Sequence, residues 1–166
     1  MEAVGLVGAE ETAALLRAAF SGDIPQALSI FDKLYFGGRE PASILEETAT
    51  LCRDILLQQV AGPKAETLQS GRFAANVIAA FAKSAPSARL MQQMSLIQTA
   101  LGEMSRSHDR RMTAELCLLR LCDPALAPDP QALTARVAAL EQQLRAGVQA
   151  PVPQSEPCLL YTSRCV

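Results

Sequence analysis

The sequence predicts an all-α protein, a single helical bundle of roughly six to seven helices. Two observations carry that prediction. Hydrophobic residues make up 49% of the 166 positions, yet aromatics only 4%, with no tryptophan. A core built from Leu, Ala, Met and Ile favours helices over a sandwich or barrel. The apolar residues also recur at steps of three and four, and no stretch alternates as a half-buried strand would. A chain of this length forms one domain that buries roughly two-thirds of its unfolded surface.

Residues 1–8 read as an uncapped apolar lead-in, or the end of a preceding domain, and residues 9–146 as the bundle. From Glu10, Leu15, Leu16, Ala19 and Phe20 share a helical face, and Gly22 stands where a C-terminal cap is wanted. Asp23 before Pro25 is an N-cap beside a first-turn proline. Ile24, Leu28, Phe31, Leu34 and Tyr35 follow at helical spacing until Gly37 and Gly38, completing a hairpin with a very tight turn. Pro41 opens a helix carrying Ile44, Leu45, Leu51, Cys52 and Ile55, stopped by Gly62 and Pro63. Residues 64–71 are polar and read as a loop. Phe73, Val77 and Phe81 mark a shorter helix ending near Pro86, and Leu90, Met94, Ile97, Leu101 and Met104 mark a longer one.

The helix from Asp109 to Pro124 is apolar almost all the way round. Met112, Leu116 and Leu119 form one stripe; Cys117, Leu118, Leu121 and Cys122 fill the flanks. Such a helix is expected to be covered on several sides, which makes it the centre of the bundle. Asp109 is its expected N-cap. After Asp129 and Pro130, Leu133, Val137, Leu140 and Leu144 form a narrow seam of the kind that packs on one partner helix, the candidate assembly face.

Residues 147–157 hold three of the prolines and no apolar period, and read as a linker. The tail CLLYTSRCV, residues 158–166, fits no element. A back-translation beginning TGT CTC TTA TAC ACA TCT is close to an inverted repeat, as a sequencing adapter would be. It is expected to be a translated artefact, with the natural gene ending at or before Pro157. Finding these codons by adapter-free sequencing of the locus would sink that expectation.

Composition excludes several classes of function. A formal charge of -2 gives no global field toward nucleic acid or an anionic membrane. No run of 18 apolar residues is present, so no membrane span is predicted. The five cysteines lack framework spacing, and Cys52, Cys117 and Cys122 sit on apolar faces, which points to core filling in a reducing compartment, the cytoplasm. There is no phosphate loop, no G-x-S-x-G and no H-E-x-x-H. One histidine, His108, in a turn, leaves a zinc site short of ligands. No catalytic, cofactor or metal residue is therefore assigned. Arg106, Arg110 and Arg111 are the one basic cluster, a weak candidate for phosphate contact without aromatic neighbours in sequence. Their alternative reading is a solvated face that neutralises Glu103 and Glu115. Arg120, on an apolar helix, either finds a buried partner or extends its stem to water.

Two segments go beyond composition: SGDIPQALSIFDKLYFGGREPASILEETATLCRDILL (residues 21–57) and RRMTAELCLLRLCDP (residues 110–124). In this order and separation they resemble the third domain of the gamma/tau subunit of bacterial DNA polymerase III. The Gly22-Asp23 turn, the Leu34-Tyr35 ending and the run from Glu115 to Leu121 carry the likeness. The lead-in Val4-Gly5-Leu6 is similar to the junction leaving the preceding domain, and the match extends over about residues 4–144.

The resemblance implies the helical collar of the clamp loader, an oligomerisation domain that holds the ATPase modules loading the sliding clamp. Its implied partners are other clamp-loader subunits and copies of itself, with DNA met only indirectly. The ATP, Mg and Zn of the family would belong to an upstream module that this chain lacks, and the polymerase activity to the holoenzyme. The tau-specific tail is missing as well, so the chain looks like an internal fragment. Two rivals stand beside this reading: a free-standing helical adaptor, and a small helical enzyme whose site has no sequence mark.

Overall fold

A computed structural model describes residues 3–126 and, further on, residues 137, 138 and 140–142. The chain divides into two compact units, residues 1–128 and 129–166. Among the described residues the first holds six α-helices and two short 3-10 helices: α1 (Ala3–Ser21), α2 (Ile24–Phe36), α3 (Pro41–Ala61), a 3-10 helix (Gly62–Thr67), α4 (Ala75–Ser84), α5 (Ser87–Met104), α6 (Arg110–Cys122) and a 3-10 turn (Pro124–Leu126). No strand occurs among the described residues. The fold is the all-α bundle that the composition predicts.

The helix starts follow local chemistry. Asp23 Oδ1 accepts the Gln26 N–H at 3.0 Å, and Asp109 Oδ1 accepts the Met112 N–H at 2.9 Å. Each satisfies an amide that has no partner inside its helix, worth about 1 kcal/mol. Gly22 takes φ +74° between α1 and α2, and Gly62 takes φ +57° at the end of α3. An L side chain is strained in that left-handed region, so these turns select glycine.

The ends of α1, α4 and α6 receive donors from elsewhere in the chain. The final carbonyls of a helix lack internal partners. Arg89 of α5 donates to the Ala19 carbonyl of α1 at 3.1 Å, and Gln93, one turn on, reaches the Leu121 carbonyl of α6 at 3.5 Å. Gln59 of α3 donates to the carbonyls of Ala82 and Ala85 at the end of α4, at 3.0 and 2.7 Å.

Two apolar clusters share α1, α3 and α5. In one, Leu15 and Ala19 of α1 meet Phe31 and Leu34 of α2, Ile44 and Leu45 of α3, Ile97 of α5, and Cys117, Leu118 and Leu121 of α6. In the other, Leu16, Leu51, Cys52 and Ile55 meet Phe73, Ile78, Phe81 and Leu90 around α4. α3 packs against all five of the other α-helices, so it, and not α6, is the centre.

Three boundaries differ from the sequence reading. α1 begins at Ala3, because neither Gly5 nor Gly8 breaks the turn that leads into the face starting at Glu10. A Cβ at Gly8 would lie 2.9 Å from Arg39 Nη1, the flexible end of a long side chain that a small shift would clear. The segment read as a loop after Gly62 opens as the 3-10 helix and then turns irregular. Phe73 precedes α4, yet its ring is buried in the second cluster.

The irregular stretch is anchored by a fully buried carboxylate. Asp54 on α3 accepts the Ser70 hydroxyl at 2.5 Å and the Ser70 N–H at 3.2 Å to each oxygen. Arg53 Nη1 stands 3.5 Å from the same group.

Candidate assembly surface

On α6 the buried residues Ala114, Cys117, Leu118 and Leu121 fall at i, i+3, i+4 and i+7, the spacing of a single helical face. The stripe of Met112, Leu116 and Leu119 therefore points the other way. Met112 is 56% exposed and Leu116 45%, while Leu119 is half-buried. Within the bundle α6 packs against α1, α2, α3 and α5, as a helix apolar on most sides requires, but the side carrying Met112 and Leu116 is left exposed. An apolar back does not by itself summon a neighbour. Here Met112 and Leu116 remain at the surface.

The arginines beside this stripe have separate fates. Arg111 joins α6 to α2: Nη2 donates to Asp32 at 2.8 Å and Nε to Glu115 at 2.7 Å. Its guanidinium lies 4.9 Å from the Tyr35 ring centre and 5.3 Å from that of Phe36. The Glu115 bond, then the Asp32 charge, push its pKa further up and hold it cationic. Arg110 stands 3.7 Å from Glu40, both largely exposed. Arg106 is exposed. Arg110 and Arg111 are thus each engaged with carboxylates. Glu115 is neutralised by Arg111, as the alternative reading has it, and Asp32 of α2 is a further partner of Arg111 that no spacing in the sequence indicates.

Phe36, 75% exposed at the end of α2, and Tyr35 extend the apolar surface across from α6. Their rings meet edge to face with centres 5.6 Å apart. Sequence reasoning took Tyr35 as part of the α2 face and gave Phe36 no role. The available signal was its place beyond the buried run Ala27, Phe31 and Leu34.

Of the residues proposed from sequence as an assembly seam, Val137 and Leu140 are helical and exposed in the second unit. Leu133 and Leu144 lie outside the described residues, as do the linker and the CLLYTSRCV tail.

Burial pushes the Cys52 and Cys117 thiols up to about 12 and raises that of Cys122, so all three stay protonated near neutral pH. No group of three or more His, Cys, Asp or Glu able to hold a metal occurs among the described residues. His108 is exposed, and Arg120 is half-buried.

A polar groove of about 920 Å³ runs along the outer side of α3, bounded by Gly38 to Glu40 and by Ser70 and Arg72. Inside it Arg39 pairs with Glu47 at 2.5 Å, and Glu47 also accepts the Thr12 hydroxyl at 2.9 Å, tying α1 to α3. No described helix is long and apolar enough to cross a membrane.

These features define the class: an all-α bundle with large apolar and aromatic side chains exposed on α2 and α6. The chain belongs to the family of domain III of the DNA polymerase III subunits gamma and tau, whose family model matches residues 1–137. No curated protein and no solved structure matches it.

Proposed function

We propose that this domain is a collar module of the bacterial clamp loader. It oligomerises with copies of itself and with other clamp-loader subunits, in the cytoplasm. In doing so it holds ATPase modules, supplied by other parts of the protein, in one ring around which the opening of the sliding clamp is coordinated. The role is structural: binding energy from packed faces fixes the relative positions of the modules that hydrolyse ATP.

The membership in the gamma and tau domain III family over residues 1–137 carries this reading. The open side of α6 supports it. Met112 and Leu116, with Phe36 across on α2, leave large apolar side chains in water that a bundle serving only itself would gain by replacing. Arg, Met and aromatic side chains are also the types enriched at protein interfaces. The exposed Val137 and Leu140 are a second candidate contact.

The test is assembly. The expressed chain is examined by size-exclusion chromatography with light scattering, alone and mixed with the other purified clamp-loader subunits. A mass above that of the monomer, or co-elution with those subunits, is expected. Met112→Ser with Leu116→Gln should reduce either without changing the helical circular dichroism. A strict monomer that joins none of the subunits would overturn the proposal.

A further inference from the structure

We draw no further inference here: the strongest candidate, the polar groove between the α2–α3 turn, the outer side of α3 and the Ser70–Arg72 loop, carries nothing, because its Arg39 is already bound to Glu47 and no second observation in the structure points to a ligand.

Discussion

Asp54 is the most exacting test of how the bundle is held together. Its carboxylate is fully buried, and both groups that Ser70 donates end on it. A hydrogen bond to a charged acceptor contributes about 1.5–3 kcal/mol. Ser70 itself is exposed, so water can satisfy its N–H and hydroxyl once the carboxylate is gone. Relief of the buried charge offsets a further part of the loss. Asp54→Ala should therefore cost about 2–3 kcal/mol, less than the sum of the bonds broken.

Ser70→Ala removes a donor instead of the acceptor. It leaves the buried carboxylate in place with one donor fewer, for a cost of about 1.5–2 kcal/mol. The double variant should be scarcely less stable than Asp54→Ala alone, a coupling of about 1.5 kcal/mol. Urea unfolding followed by circular dichroism at 222 nm measures all four corners of the cycle. For a domain of this size the Asp54→Ala loss corresponds to a melting point lower by about 8 °C. Amide exchange at Ser70 gives the local readout, slow in the wild type and fast in Asp54→Ala. Additive losses, or an Asp54→Ala cost below about 0.5 kcal/mol, would show that the contact holds nothing.

The two sides of α6 should respond differently to truncation. Leu118→Ala, in the core, should cost about 3 kcal/mol, whereas Leu116→Gln on the open side should change monomer stability by no more than about 0.5 kcal/mol; urea midpoints compare them. Equal losses would refute the assignment of faces. Asp109→Ala should lower stability by about 1 kcal/mol in the same assay by removing the acceptor for the Met112 amide, and Asp109→Asn should retain most of it.

The thiols supply a pH test. Cys52 and Cys117 have folded values raised to about 12 from an ordinary 9.0, so above pH 9 the unfolded chain releases protons that the native chain keeps. Their contribution to stability is complete below pH 9 and is lost as the pH rises toward 12. Replacing both with Ala should flatten that part of a stability-versus-pH curve. A thiol reagent at pH 8 should label them only at the rate of unfolding.

Most of the element order was legible because it is written in local chemistry. Asp23 and Asp109 lie within three residues of the amides they cap, and Gly22 and Gly62 mark turns that only glycine adopts without strain. The all-α class and the stripes of α2, α3 and α5 follow from periodicity alone. The centre of the bundle was less legible. Both α3 and α6 are rich in apolar residues, and which of them touches everything else depends on three-dimensional adjacency. On α6, counting apolar residues overstated the cover; the i, i+3, i+4, i+7 set beginning at Ala114 indicates the buried face better than the total does. The fate of Arg111 was not legible, since its aromatic and acidic partners on α2 are more than seventy residues away.

The first and last helices of the bundle share one core: Leu15 and Ala19 of α1 lie in the same cluster as Leu118 and Leu121 of α6. During synthesis, α1 leaves the ribosome about a hundred residues before α6 is complete, a delay of about 5–20 s at bacterial or slower elongation rates. Throughout that interval the face of α1 awaiting α6 is without its final partner. The bundle therefore cannot mature one helix at a time. A chain ending short of α6 leaves the cluster around Leu15 and Ala19 without Leu118 and Leu121.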